Sequence, residues 1–387
     1  MTSMLYSGSM RQGSIRFDRN ELAGAFGDIG TDLPLIVGMI LAAGLDSASA
    51  LIMFGVMQVF TGLRYGIPMP VQPLKAMAAL VIAQKLSGSV LFGGGLVIGV
   101  IMLVFTVTGL IEWLARVVPK TVVRGIQFGL GLQLASLALK DYVQADGAAG
   151  YVLAAVGFVI TIALMGSRRF PAALFVIALG IVYAFIFKID FSAVWHGASL
   201  HLPRLQVLTR QDLLTGLVVL AVPQIPLSLG NSILATRQVA EDFFPERPLT
   251  IRTISSTYSI MNLINPWFGG IPTCHGSGGM AGHYTFGART GGSVIIYGCL
   301  YLVLGLFFSG CFAQMIQVFP KPILGVMLAF EGLAMLLLVR DIASSKADLL
   351  IAMVVGLMAV GLPYGYAIGL IVGTALVYLW RNRHQAI

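Results

Sequence analysis

Charged residues are scarce in this 387-residue chain: they make up 10% of it, whereas soluble proteins carry about 25%. Hydrophobic residues make up 57%, and the mean hydropathy is +0.90. Too few polar side chains remain to cover a surface in contact with water. The composition therefore excludes an ordinary soluble enzyme or binding domain and indicates a protein that lies within a lipid bilayer.

Cysteine is scarce too, and enzyme motifs are missing. Cys274, Cys299 and Cys311 lie in apolar segments without metal-ligand spacing or a disulfide framework, so we expect small buried side chains and no metal site. No apolar stretch with a small-residue cleavage site precedes the first long run, so no signal peptide is predicted. The chain has no HExxH, no phosphate loop and no nucleophile–base pair at helical spacing, so we expect neither an enzyme nor a cofactor.

Long apolar runs are what the sequence has in abundance. Runs of roughly 17–25 residues, the length that crosses hydrocarbon as a helix, recur between Glu21 and Trp380. They are continuous and do not alternate, which argues against a β-barrel. We predict an all-α polytopic membrane protein with fourteen spans, at 21–43, 48–63, 70–87, 90–112, 121–139, 149–166, 170–187, 213–235, 251–268, 273–288, 291–316, 321–339, 347–361 and 364–380.

The net charge of +8 follows from topology and needs no nucleic-acid partner. If the N-terminus is cytoplasmic, most Lys and Arg residues fall on the cytoplasmic side, as bilayer insertion favours. Lys75 falls inside the membrane. The opposite side receives only Lys85, Lys140, Lys188, Arg204, Arg210 and Lys321. This imbalance predicts that both termini are cytoplasmic.

The spans form two sets of seven, and an odd count requires the second set to be inverted. The tripeptide Gly-Ile-Pro stands before the third span of each set, at 66–68 and 270–272. Inverted repeats are typical of secondary transporters, whose substrate sites lie near the membrane midplane at broken helices. We predict a tail (1–20), a first repeat (21–187), an extracytoplasmic linker (188–212), a second repeat (213–381) and a short tail (382–387).

The segment "PMPVQPLKAMAA" cannot be a regular helix, because its prolines remove donors and favour extended backbone. We place Pro73 in the first turn of a half-helix whose free N–H groups and positive dipole end point into the bundle. Gln72 and Lys75 lie in that turn and would bind an anion. The alternative for Lys75 is a structural ion pair with Asp28 or Asp32.

The segment "IPTCHGSGGMAGHYTFGA" predicts a second half-helix that begins near His275. Gly276 and Gly278 let the backbone approach a ligand, and Ser277 and His275 can donate hydrogen bonds. The alternatives are close helix packing for the glycines and a buried neutral histidine bonded to a carbonyl.

Polar groups also interrupt the first span of each set. Asp28, Thr31 and Asp32 interrupt the first span, and we expect Pro34 to break it. Thr31 is a candidate for substrate binding. The acids are candidates for proton or cation coupling, for bonding the backbone freed by the break, or for neutralising Lys75.

In the second half, prolines flank Gln224. Ser228 and Asn231 follow it at i, i+4 and i+7, a spacing that predicts one polar helix face. That face would coordinate an oxyanion or form interhelical hydrogen bonds.

Four stretches, "GDIGTDLP", "GIPMPVQPLKAMAA", "VPQIPLSLGNSILA" and "PTCHGSGGMAGHYTFGARTGG", resemble the molybdate transporter family, distant relatives of the sulfate permeases. The resemblance covers about residues 18–381. It implies the seven-plus-seven inverted repeat of sulfate and uracil permeases, with a core domain of spans one to four and eight to eleven and a gate domain of the rest. It places substrate between the broken third and tenth spans and assigns it to Gln72, Lys75, Gln224 and Ser277. By analogy with this fold we expect a homodimer.

The chain ends soon after the last span, so we expect no cytoplasmic regulatory (STAS) domain. We predict a secondary active transporter of a tetrahedral oxyanion, molybdate before sulfate, in a bacterial inner (plasma) membrane. The alternatives are another anion or a nucleobase carried by the same fold, such as bicarbonate or uracil, and an anion channel.

Overall fold

The computed structural model describes residues 15–165, 172–187 and 199–385, which are mostly helical. Outside these residues lie most of the predicted N-terminal tail (1–14), the loop 166–171, the first part of the predicted linker (188–198) and residues 386–387.

The first half contains nine helices among the described residues: α1 (Arg19–Gly24), α2 (Ile29–Ala43), α3 (Ser47–Tyr65), α4 (Lys75–Gln84), α5 (Gly88–Thr108), α6 (Leu110–Val117), α7 (Lys120–Leu137), α8 (Gly147–Leu164) and α9 (Ala172–Phe187). The described part of the second half adds α10 (Arg210–Phe243), α11 (Ile251–Ile264), α12 (Ser277–Thr285), α13 (Gly292–Phe307), α14 (Ser309–Val318), α15 (Lys321–Leu337), α16 (Lys346–Gly361) and α17 (Gly365–Gln385). Two stretches of α10, Gly216–Ala221 and Ser228–Ala235, have π-helical bonding.

The prediction of a multi-pass α-helical membrane protein is confirmed. Among the described residues, six helices are long and apolar enough to cross a bilayer, or seven if the bent pair α13 and α14 counts as one span. Shorter apolar helices, α4 among them, lie between these long ones.

Two predicted spans are not single continuous helices. The predicted span 291–316 is two helices that meet at Phe308 with a bend of 93°. The predicted span 90–112 stops at Gly109, whose φ of +75° closes α5 in the left-handed region that glycine adopts readily. Short helices, α6 and α14, follow at corresponding places in the two halves.

The two segments that follow Gly-Ile-Pro are extended, which confirms that neither is a regular helix. Val71–Pro73 forms strand β1 and Thr273–His275 forms strand β2, and they pair antiparallel with Gln72 opposite Cys274. A half-helix follows each strand, α4 after β1 and α12 after β2. The placement of Pro73 in a helical turn is wrong, because Pro73 ends the strand and α4 begins at Lys75.

The helices form two bundles. In the first bundle (α1–α5 and α10–α13), α3 packs along α13 and α5 packs along α11. In the second bundle (α7–α9 and α15–α17), α7 packs against α15 and α16. An apolar cavity of about 90 Å³ lies at their boundary, where Leu33 and Pro34 of α2 face Ile177 of α9 and Leu324 of α15.

A buried carboxylate ties α1 to the start of α13. Glu21, only 1% exposed, accepts hydrogen bonds from the backbone N–H groups of Arg289 (2.9 Å), Thr290 (2.9 Å) and Ser293 (3.0 Å). Ser293 lies in the first turn of α13, whose N–H groups have no intrahelical partners, and Arg289 and Thr290 belong to the turn just before that helix. The acid therefore serves as a helix cap and is fully engaged in the fold.

The close packing of α3 on α13 generates a stability prediction. A Cβ on Gly55 would lie 2.7 Å from the Gly298 carbonyl oxygen and 2.9 Å from the Leu302 nitrogen, both backbone atoms that cannot move aside. We expect Gly55→Ala to destabilise the protein by about 1–3 kcal/mol through overpacking, seen as a lower melting temperature in detergent. Gly361→Ala is the control, because nothing lies within 4 Å of a Cβ there. Equal melting temperatures for both variants would contradict this packing.

Candidate functional site

The outer edges of the short β-ribbon are held by two amide side chains. Gln58 on α3 donates from Nε2 to the Val71 carbonyl (2.7 Å) and accepts at Oε1 from the Val71 N–H (2.9 Å). Asn262 on α11 donates from Nδ2 to the Thr273 carbonyl (2.6 Å) and accepts at Oδ1 from the Thr273 N–H (2.9 Å). Each amide thus takes the place of a third strand for one residue, and the ribbon keeps its hydrogen bonds in an apolar interior.

Gln224 caps half-helix α4. Its Oε1 accepts from the N–H groups of Ala76 (3.0 Å) and Met77 (3.3 Å), which otherwise have no intrahelical partner. Its Nε2 donates to Ser228 Oγ (3.1 Å), which bonds the Tyr258 hydroxyl (2.7 Å). The predicted site residue Gln224 therefore lies at the half-helix, but its acceptor oxygen already occupies two of the donors.

The predicted polar face on α10 extends only from Gln224 to Ser228. Asn231 lies in the π-helical stretch, where i→i+5 bonding changes the side-chain spacing. Its backbone carbonyl accepts from Thr236 Oγ1 (3.4 Å), and its side chain makes no hydrogen bond among the described residues. Asn231 therefore takes no part in the hydrogen bonds of Gln224 and Ser228 among the described residues, and its place on a substrate-binding face stays a prediction.

Half-helix α12 begins without a side-chain cap. Gly276 is its N-cap residue and provides no side-chain hydrogen bond. Ser277 is half-buried, Gly278 is exposed, and nothing lies within 4 Å of a Cβ built on Gly278. The donors and positive dipole end of α12 therefore face accessible space, an arrangement that suits an anion.

Asp28 and Gln72 flank this open end. Gln72 Nε2 donates to both carboxylate oxygens of Asp28 at 2.7 Å. A Cβ on Gly279 would collide with the Asp28 carboxylate, and one on Gly276 would collide with the Gln72 side chain. The glycines thus allow a side-chain pair from two other elements to lie directly against the start of α12.

Lys75 pairs with a residue that the sequence analysis did not consider. Its Nζ lies 3.1 Å from Oε1 of Glu331 on α15. Lys75 therefore does form an ion pair with an acid of an apolar helix, as the alternative expected, but the partner is Glu331 and not Asp28 or Asp32. Lys75 is the first residue of α4, so its ammonium adds a full positive charge beside the half-helix start.

The two acids of the first span have different partners. Asp32 is fully buried; the Tyr297 hydroxyl donates to Oδ2 (3.3 Å), and Oδ1 has no hydrogen-bond partner among the described residues. Thr31 is half-buried, and its N–H donates to the Asp28 carbonyl (3.1 Å). Neither acid side chain bonds backbone freed by the break, so that hypothesis is not supported.

His275 belongs to β2 and not to a half-helix. Its ring is fully buried, its Nε2 lies 2.6 Å from Thr257 Oγ1, and its Nδ1 has no partner among the described residues. The ring also meets the edge of Tyr65 at a centroid distance of 5.4 Å. The alternative of a buried histidine is borne out, with a hydroxyl in place of the expected carbonyl.

The described residues contain no group of three His, Cys, Asp or Glu side chains that could hold a metal ion. The arrangement instead offers an open helix start, one ammonium, several amide and hydroxyl groups and the Asp28 carboxylate beside the helix start. The donors among these groups bind an anion by charge and hydrogen bonds.

Three residues of this region escaped the sequence analysis: Gln58, Asn262 and Glu331. Glu331 could have been found, because it is an acid inside an apolar run and such acids are functional candidates. Gln58 and Asn262 carry no such signal, because buried amides also form ordinary interhelical bonds.

Comparison with known proteins supports one family. A sequence profile described as "Molybdate transporter of MFS superfamily" matches residues 20–134 and 216–335. Molybdate transporter 1 of Arabidopsis thaliana is 34% identical over 411 residues, covering 94% of this chain and 89% of that protein. Molybdate transporter 2 of the same plant is 35% identical over 384 residues, covering 87% and 82%.

A solved structure supports the fold. The transmembrane domain of the cyanobacterium bicarbonate transporter BicA superposes with a TM-score of 0.68 at 18% identity, covering 94% of this chain and 98% of that one. At this identity the similarity concerns the fold alone.

The ribbon clamps generate the next prediction. Asn262→Leu keeps the number and branching of the side-chain heavy atoms but leaves the Thr273 N–H and carbonyl without their partner. We expect the free energy of unfolding to fall by about 2–4 kcal/mol, because each of the two unsatisfied buried groups costs about 1–3 kcal/mol and the structure relaxes in part. The melting temperature in detergent should fall accordingly. Asn231→Leu, the same change at a half-buried position outside the network, should melt close to wild type. A wild-type melting temperature for Asn262→Leu would contradict the clamp.

Proposed function

Since the chain belongs to the molybdate transporter family, we propose that it is a secondary active transporter of a tetrahedral oxyanion, with molybdate as the principal substrate. The observation that carries the proposal is the uncapped start of α12, which opens at Gly278 into accessible space.

The oxyanion lies at this helix start and is bound by three kinds of groups. The first backbone N–H groups of α12 donate to it, and the helix dipole adds partial positive charge. The Ser277 hydroxyl donates from the same turn. The Lys75 ammonium provides the full charge that a dianion requires. Gln72 and Gln224 position the two half-helices, through Asp28 and through the start of α4 respectively.

We propose that the chain has fourteen spans in two inverted sets of seven (21–187 and 213–381). Two observations support this repeat. The same order of elements occurs in both halves, namely a strand, a half-helix, a long helix, a short helix and a long helix, and the two strands pair antiparallel. The first bundle acts as the core domain and the second as the gate domain. Transport moves one bundle against the other, in a plasma membrane with both termini cytoplasmic.

Sulfate is the second candidate substrate, because it has the same tetrahedral shape and the same charge as molybdate. Bicarbonate and uracil are planar, and uracil carries no charge to match Lys75. Competition of labelled molybdate uptake by tungstate, sulfate, bicarbonate and uracil separates these substrates. A sustained current that follows the anion gradient without saturation would instead indicate a channel.

Gly278→Leu tests the proposed binding position. A Cβ at this position meets no neighbour, so the variant should fold and melt like wild type. Its side chain, however, fills the space in front of α12 and excludes the anion. We expect uptake of labelled molybdate into proteoliposomes to fall at least about tenfold, which corresponds to about 1.4 kcal/mol of lost binding.

Gly361→Leu is the matched control, because it makes the same change at another open glycine, on α16. It should transport at the wild-type rate. Wild-type uptake by correctly folded Gly278→Leu would place the substrate elsewhere, and no saturable molybdate uptake by the wild type would refute the proposed function.

A further inference from the structure

The Lys75–Glu331 contact joins the two bundles at the start of half-helix α4. Lys75 begins α4 in the first bundle, and Glu331 lies in the middle of α15 in the second. The distance between Nζ and Oε1 is 3.1 Å. Any movement of one bundle against the other must therefore stretch or break this pair.

Glu331 is a carboxylate in a place where a carboxylate is costly. Its side chain is 8% exposed, whereas that of Lys75 is 23% exposed. Leaving one partner of a buried ion pair alone is strongly unfavourable, so the position of Glu331 requires the ammonium. Lys75, by contrast, keeps part of its surface open to a second anion.

The pair is a charge contact more than an aligned hydrogen bond. Glu331 Oε1 is within ion-pair distance of Lys75, yet it belongs to the buried atoms that make no hydrogen bond among the described residues. A tetrahedral oxyanion at the start of α12 could be bound by backbone N–H groups as well as by the ammonium. A bound dianion would therefore make more favourable interactions beside Lys75 than the Glu331 carboxylate makes there.

The other acids nearby are not substitutes for Glu331. Asp28 is bound by Gln72 through both oxygens, and Asp32 is bonded by Tyr297. Glu331 is the carboxylate in ion-pair contact with Lys75 among the described residues, and it is the one contributed by the second bundle.

We propose that the Glu331 carboxylate takes the place of the oxyanion on Lys75 when the site is empty, and that bound oxyanion displaces it and releases this contact between the bundles. The inference rests on the proposed function and names the residue that links substrate binding to movement. In this role Glu331 is a positioning residue of the second bundle. Its competition for Lys75 weakens oxyanion binding, and binding of the oxyanion breaks the contact between the bundles.

Competition between Glu331 and the oxyanion for Lys75 should weaken the apparent Kd by a measurable factor. If Lys75 is paired with Glu331 in about nine of ten empty molecules, the apparent Kd for the oxyanion is about tenfold weaker than its intrinsic value. Removing the competing charge should restore the intrinsic value. A carboxylate that only neutralises Lys75 within the fold would give the opposite result, because its loss would destabilise the site.

The test is molybdate binding to the purified full-length protein, measured by titration calorimetry with the melting temperature recorded for every variant. We expect Glu331→Gln to bind molybdate about fivefold to tenfold more tightly than wild type. Asp341→Asn is the matched control: Asp341 lies just beyond α15 and is also ion-paired, to Lys120 and Arg124, but it does not contact Lys75. Its Kd should equal that of wild type.

Glu331→Asp covers the case in which Glu331→Gln does not fold. The shorter side chain keeps the charge but draws it away from Lys75, so a smaller tightening in the same direction is expected. Unchanged or weaker binding by the folded variants, with wild-type binding intact, overturns the role of Glu331 and leaves the proposed function standing. Failure of the wild type to bind molybdate overturns the proposed function instead.

Discussion

The structure depends on hydrogen-bond satisfaction of a two-stranded ribbon inside an apolar bundle. Backbone N–H and carbonyl groups without partners are costly wherever water is excluded, so extended chain at that depth needs protein around it. The two strands pair with each other, and Gln58 and Asn262 bond their outer edges at Val71 and Thr273. This ribbon fixes where α4 and α12 begin, and with them the positions of Lys75 and Ser277.

The two half-helices occupy equivalent places in the two halves of the chain, but only the start of α12 has backbone N–H donors free of a side-chain cap. Gln224 of α10 fills the donors at the start of α4, whereas Asp28, the residue just before α2, lies beside the start of α12 without capping it. One helix end is therefore closed by an amide and the other is open. The positive charge of Lys75 comes from the closed side, so under the proposed function the anion at the open side would be held between a helix dipole and an ammonium from different halves of the chain.

The sequence predicted the two extended segments correctly, but the break expected at Pro34 is wrong, because Pro34 lies inside the continuous helix α2. The prolines around Gln72 exclude a helix, and the paired Gly-Ile-Pro marks both breaks. The residue that forms an ion pair with Lys75 could not be predicted in the same way. Lys75 was expected to pair with an acid of the first span, but Glu331, more than two hundred residues away, approaches it through the packing of α15 on the first bundle. The bend at Phe308 was missed, although Ser309 and Gly310, a pair typical of helix kinks, follow it directly.

The central claim is that one oxyanion lies between the start of α12 and the Lys75 ammonium. An experimental structure of the protein with bound molybdate tests it most directly, because the anomalous scattering of molybdenum locates the ion without reference to the surrounding density. The account predicts a single molybdenum peak next to the Gly278 backbone N–H, within hydrogen-bond reach of Lys75, with Glu331 withdrawn. A peak elsewhere in the bundle, with the Lys75–Glu331 pair intact, would contradict it.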